Sequence, residues 1–60
     1  PATERILRAL RSLPDEQRQC LEWAFVRGLT HLQLAEAIGA PLGHVKTSIR
    51  RGLVRLRDLL

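Results

Sequence analysis

Two helix-breaking residues, Gly39 and Pro41, stand directly between two segments whose apolar residues recur with helical spacing. Glycine readily adopts the left-handed backbone that ends a helix, and proline fits the first turn of the next one. The sequence therefore predicts a sharp corner between two helices. Because a chain of 60 residues forms one domain at most, this corner constrains the arrangement of the whole fold.

Periodicity predicts two further helices before the corner. Apolar residues at spacings of three and four indicate a first helix over residues 3–12. A second helix runs from Pro14 to about Arg27, carries acids in its first turn and is followed by Gly28. Its inner stripe is predicted to consist of Leu21, Ala24 and Phe25, with Cys20 and Trp23 beside them. No segment alternates with period two, so we expect an all-α, four-helix domain over residues 1–60.

The segment around the corner has the spacing of a helix-turn-helix. Thr30 and Gln33 form a T-x-x-Q capping box at the start of a short third helix. The fourth helix is predicted to run from Pro41 to the last residue. We expect the motif to span about residues 30–60, with the fourth helix as a long recognition helix. The residues that would hold the two helices together are Ala35, Gly39, Val45 and Ile49.

The fourth helix is amphipathic, and one of its two faces is basic. On a helical wheel the apolar arc holds Val45, Ile49, Gly52, Leu53, Leu56 and Leu60. The opposite arc holds Gly43, Thr47, Arg50, Arg51 and Val54, flanked by His44 and Lys46. We expect the first arc to pack on the domain and the second to face a binding partner.

The excess of positive over negative charge is confined to this helix. The net charge is +4, yet residues 1–41 contain equal numbers of arginines and acids. Residues 42–60 contain five cations against the single acid Asp58. A basic stripe on one element is typical of a polyanion-binding surface. A solvated helix face is the alternative, but the helix-turn-helix spacing favours binding in a DNA major groove.

The chain from Ser12 onward resembles region 4 of bacterial sigma factors of the extracytoplasmic-function group. The matching residues are Leu13-Pro14, Arg18, Gly28, Thr30, Ala35, Gly39, Pro41, Gly43, Val45-Lys46-Thr47, Arg51-Gly52 and Leu56-Arg57. The resemblance implies a domain that recognises the minus-35 promoter element in double-stranded DNA while bound to the flap of the RNA polymerase β subunit. It also implies an anti-sigma factor as a partner. Region 2 of that family is absent, so we expect one domain of a longer protein.

Candidate site residues fall into three groups. The candidates for contacts with base edges are Lys46, Thr47, Arg50 and Arg51. The candidates for contacts with DNA phosphates are Arg18, His31, Gly43, His44 and Ser48. His44 stands where the family usually has threonine, and Ser48 where it often has arginine. The candidates for the polymerase-flap or partner surface are Ile6, Leu10 and Trp23.

Other function classes find little support in the sequence. No carboxylate or nucleophile stands at a convincing spacing from either histidine, so we do not expect an enzyme. One cysteine and two scattered histidines do not make a metal site, and we expect no cofactor. No apolar run is long enough to span a bilayer, and we expect a cytoplasmic protein. Two alternatives to the sigma-factor reading remain: a LuxR-type response-regulator domain, and a protein-interaction module whose basic helix binds an acidic partner.

Overall fold

The computed structural model describes residues 2–60, which form helices joined by short connections and contain no β-strand. The helices are α1 (Ala2–Arg11), α2 (Asp15–Leu21), α3 (His31–Ile38) and α4 (Leu42–Leu59), and α2 continues into a π-helical segment, Glu22–Val26. The predicted all-α, four-helix architecture is therefore confirmed. None of the helices in this part of the chain is both long enough and apolar enough to cross a membrane.

The core lies where α2, α3 and the first half of α4 meet. Its largest fully buried side chains are those of Leu34, Val45 and Cys20. The remaining members of the cluster are Leu13, Leu21, Ala35 and Ile49. Burial, and then the nearby charge of Glu16, raises the pKa of the Cys20 thiol. Cys20 is thus a small apolar core residue, as the sequence indicated, and Trp23 lies half-buried at the edge of this core.

Local interactions fix both ends of α3, and its second end forms the corner with α4. The Thr30 hydroxyl accepts a hydrogen bond from the Gln33 amide at 3.0 Å, and the Gln33 side chain accepts one from the Thr30 amide at 2.9 Å. Gly39 has a φ of 70°, in the left-handed region that side chains resist. Ala35 and Val45 are buried on either side of the turn. The predicted helix-turn-helix packing is therefore present.

The end of α2 departs from the prediction. The Arg27 amide donates to the Glu22 carbonyl at 3.2 Å, five residues back, which is the hydrogen bond of a π-helix. The wider turn interrupts the spacing of three and four residues on which the inner stripe was predicted. Phe25 is 65% exposed, so its assignment to the inner stripe is wrong, whereas Leu21 is buried and Ala24 packs against the core.

Only the first half of α4 is enclosed by the domain. Val45, Ile49 and Gly52 are buried, but Leu53 and Leu60 remain 43% and 49% exposed. The prediction that the whole apolar arc packs inward is therefore wrong for Leu53 and Leu60, whereas Leu56 is half-buried. With 18 residues, α4 is about 27 Å long, and α2 and α3 are too short to cover it. The α1 helix packs beside its far end, where Arg5 Nη2 donates to the Leu60 carbonyl at 2.9 Å.

Candidate nucleic-acid interface

The outward face of α4 brings the four base-edge candidates together. Lys46, Arg50 and Arg51 are exposed, and Thr47 is half-buried among them. The Thr47 hydroxyl donates to the Gly43 carbonyl at 3.0 Å, and its oxygen can still accept a hydrogen bond. Three cations and one small polar side chain thus form a single surface on a helix whose other face is held by the core.

A basic cleft extends this face toward α2. Its volume is about 610 Å³, and its lining residues are Gln17, Arg50, Arg51, Val54, Arg55 and Asp58. The amide oxygen of Gln17 is buried and has no hydrogen-bond partner among the described residues. Neither Gln17 nor Arg55 was among the predicted site residues. Arg55 could have been predicted from the sequence as part of this face, because it lies one helical turn beyond Arg51.

The start of α4 is open to an approaching anion. The amides of His44 and Val45 already donate to the Pro41 carbonyl, at 3.0 and 3.2 Å. The amides before them in α4, those of Leu42 and Gly43, have no carbonyl within the helix to bond. A Cβ placed on Gly43 would meet nothing within 4 Å, so the backbone is uncovered here. Free amides and the helix dipole at such a terminus favour negative charge. The exposed helix start leaves room for the phosphate contact predicted at Gly43.

Two other phosphate candidates, His44 and Ser48, contact a carboxylate within the domain, that of Glu16 on α2. The Ser48 hydroxyl donates to Glu16 Oε1 at 2.8 Å, and His44 Nε2 pairs with the same oxygen. The hydrogen bond from Ser48 is the main cause that lowers the pKa of Glu16, and partial desolvation of the carboxylate opposes it. The hydrogen bond from His44 and the charge of His44 lower this pKa further. Ser48 is only 7% exposed, which argues against it as a phosphate contact. His44 remains half exposed beside it.

The last two phosphate candidates lie on different helices. His31 is exposed at the first position of α3, at the opposite end of this helix from the corner. Arg18 lies on α2, where its Nη2 donates to Asp15 Oδ1 at 3.0 Å. Asp15 is almost fully exposed, and exposed pairs of this kind contribute little to stability. Arg18 can therefore exchange this partner for another anion at small cost.

The predicted partner surface is divided by the structure. Ile6 and Leu10 line an apolar groove of about 240 Å³ between α1, the end of α2 and the far half of α4. The other lining residues are Leu21, Glu22, Phe25, Val26, Leu53 and Leu56. Trp23 is not among them, and Arg27 lies over its ring, 5.6 Å from the centroid. The exposed Phe25 and Val26, which sequence reasoning did not assign to this surface, take its place.

Comparison with known proteins identifies the family. The model of the family sigma-70, region 4, matches residues 9–58. The chain belongs to this family. Together with the ECF relatives described next, this match confirms the prediction of region 4 of an extracytoplasmic-function sigma factor. The match also decides against the response-regulator alternative.

Several region 4 relatives are similar over most of the chain. It is 49% identical over 54 residues to the ECF RNA polymerase sigma factor RpoE of Cereibacter sphaeroides, which covers 90% of this chain and 30% of that protein. It is 38% identical over 56 residues to SigK of Mycobacterium tuberculosis, covering 93% and 30% of the two chains. A SigK of Mycolicibacterium vanbaalenii is 39% identical over 56 residues, covering 93% and 29%. The chain thus spans about 30% of the length of these relatives.

Proposed function

We propose that this domain recognises the minus-35 element of promoters, with α4 in the major groove, as part of an alternative sigma factor in transcription initiation. The observation that carries the proposal is the outward face of α4, where Lys46, Arg50 and Arg51 are exposed on a helix fixed from behind. Family membership supports the same role. The role is one of binding, and it needs neither catalysis nor a cofactor.

The dimensions of α4 suit the groove. An α-helix with its side chains is about 10–12 Å across, and the major groove of B-DNA is about 12 Å wide. The corner at Gly39 turns α4 away from α3, so its first half can enter while the body of the domain stays outside. Arg50 and Arg51 would donate to guanine O6 and N7, and Thr47 would touch a thymine methyl. The phosphates would be bound by Gly43, His31 and Arg18.

The partners of the domain follow from its small contact area. A single helix in a groove gives few contacts to offset the entropy of association, so we expect the free domain to bind DNA weakly. Attachment to RNA polymerase raises its effective concentration at the promoter. We infer that the apolar groove lined by Ile6 and Leu10 binds the β-subunit flap, and that an anti-sigma factor competes for the domain. The site of action is then the cytoplasm.

Replacing Arg50 or Arg51 with alanine tests the base-reading role. Selection from DNA duplexes with a randomised segment, followed by sequencing, measures base preference, and anisotropy titrations at two salt concentrations measure affinity. Loss of a base contact should cost about 1–3 kcal/mol at the preferred site and relax preference at one or two base pairs. Loss of a phosphate contact should instead weaken binding to all sequences and lower the salt slope by about 0.9.

Arg11, an exposed arginine on α1, provides the matched control. Arg11→Ala removes the same charge from another helix and should leave the base preference unchanged. If none of the variants at positions 46, 47, 50 and 51 changes preference or salt slope, α4 does not enter the groove. The basic face would then be better explained as a surface for an acidic protein.

Gly43→Ala separates the stability of α4 from its approach to DNA. The site has room for a methyl group, so alanine should stabilise the helix by about 0.5–1 kcal/mol. The same methyl would stand between the helix start and a phosphate, so DNA affinity should fall. Thermal melts and anisotropy titrations measure the two effects. A variant that is more stable and binds DNA as well as the wild type would remove Gly43 from the interface.

A further inference from the structure

Two side chains in the first two turns of α4 contact one carboxylate of α2. Glu16 Oε1 accepts the Ser48 hydroxyl at 2.8 Å and also pairs with His44 Nε2. Positions 44 and 48 are four residues apart, which places them one turn apart on the same side of the helix. We call this group of three residues the Glu16 bridge.

The Glu16 bridge supplies a directional contact between α2 and α4. The rest of the packing between these helices includes apolar contacts such as Ile49 and Leu21 in the core, and Leu21 beside Gly52. Apolar burial is non-directional, whereas a hydrogen bond weakens steeply when its angle changes. Two polar contacts one turn apart therefore oppose both rotation of α4 about its axis and sliding along it.

The orientation of α4 matters because the base-edge candidates are on the same turns. Lys46 and Thr47 lie between the two bridge residues in sequence, and Arg50 follows Ser48 by two positions. A binding constellation must be held within about 0.5 Å and 10–20° of its productive geometry. A small rotation of α4 would move the tips of these side chains by more than that.

The charge of Glu16 makes its position informative. The Glu16 side chain is 49% exposed and contacts the helix that carries the basic face. Considered only as a charge, it would repel phosphates, and its removal would strengthen DNA binding.

We propose that Glu16 is a positioning residue for base recognition: by holding His44 and Ser48, it fixes the orientation of α4 and thereby the base pairs that Lys46, Thr47 and Arg50 reach. The proposal rests on the proposed function. It concerns specificity, and it predicts that preference and overall affinity respond differently to loss of the carboxylate.

The test compares Glu16→Ala, Glu16→Gln and Ser48→Ala with Glu36→Ala in the 60-residue chain. Base preference is measured by selection from randomised duplexes, and affinity for a fixed non-cognate duplex by anisotropy, below the melting temperature of each variant. Glu16→Ala should reduce discrimination at the preferred base pairs by about tenfold, the scale of one good base contact. Its affinity for the non-cognate duplex should stay equal or rise, because a negative charge is lost.

The other variants distinguish positioning from charge and from stability. Glu16→Gln keeps an acceptor for the Ser48 hydroxyl and should retain most of the preference. Ser48→Ala keeps the charge of Glu16, fits a buried helical site, and should relax preference in the same direction as Glu16→Ala. Glu36→Ala removes an exposed acid from α3 and should leave preference unchanged.

Four results would overturn the proposal. If Glu16→Ala lowers the melting temperature but keeps the full preference, the bridge is only structural. If Glu16→Ala and Glu36→Ala change affinity alike without changing preference, the effect is only one of charge. If Glu16→Ala does not fold, Ser48→Ala replaces it in the test. Full base preference in Ser48→Ala would then show that the bridge is only structural. A wild-type chain without any base preference would remove the proposed function and this proposal together.

Discussion

Replacing Leu34 with alanine is expected to destabilise the domain by about 2–5 kcal/mol, the usual range for truncating a buried leucine. Leu34 is fully buried at the centre of the core, so its loss leaves a cavity in contact with α4. A 60-residue domain has a total stability of about 3–9 kcal/mol. We therefore expect a large unfolded population near physiological temperature, measurable by urea or thermal unfolding followed by circular dichroism.

Leu32→Ala is the matched control for this prediction. Leu32 lies on the same helix but is 57% exposed, so the same truncation should change stability by no more than about 0.5 kcal/mol. Equal destabilisation by the two variants would mean that α3 does not present Leu34 to the core. The inward face of α3, and with it the helix-turn-helix geometry, would then be wrong.

Gly52→Val is expected to destabilise the domain by about 1–3 kcal/mol through overpacking. A Cβ at position 52 would already lie 3.0 Å from Leu21 Cδ1 and 3.3 Å from Leu21 Cγ. The two further methyl groups of valine have no room unless the buried Leu21 side chain shifts or α2 and α4 move apart. Because α4 carries the basic face, we also expect weaker base discrimination in the fraction that folds.

Gly43→Val provides the comparison on the same helix. It changes intrinsic helix propensity by a similar amount, but a Cβ there meets nothing within 4 Å. The difference between the melting temperatures of the two variants therefore measures the packing of α4 on Leu21. Melting temperatures that agree would show that position 52 tolerates a side chain, and the close approach of α2 and α4 would be refuted.

Features with local causes could be predicted from the sequence. The capping box at Thr30 and Gln33 depends on residues three positions apart, and the αL turn at Gly39 depends on one residue. Together they fix where α3 begins and ends, and so where α4 starts. Since α4 is a regular helix, its basic face follows from spacing alone. The fold and the outward position of Arg50 and Arg51 were accessible for this reason.

Features with non-local causes could not be predicted in this way. The π-helical turn that exposes Phe25 breaks the regular spacing from which its burial was inferred. The exposure of Leu53 depends on how far α2 and α3 extend along α4, which the periodicity of α4 does not contain. The contact between Ser48 and Glu16 joins residues 32 positions apart. Ser48 was therefore assigned to DNA, because its partner in the fold was not visible in the sequence.

The position of α4 between two surfaces has a thermodynamic consequence. The same two turns of this helix line the apolar groove through Leu53 and Leu56 and carry Arg50 and Arg51 on the basic face. If a ligand in the groove shifts α4, the basic face moves with it, and the affinity of that face for DNA changes. Thermodynamic linkage then requires bound DNA to change the affinity of the groove for its ligand by the same factor. A ligand that tightens DNA binding about tenfold must itself be held about tenfold more tightly once DNA is bound. Under the proposed function, DNA on the basic face is then an effector of the groove, and the affinity of a partner for the groove would measure how much DNA is bound.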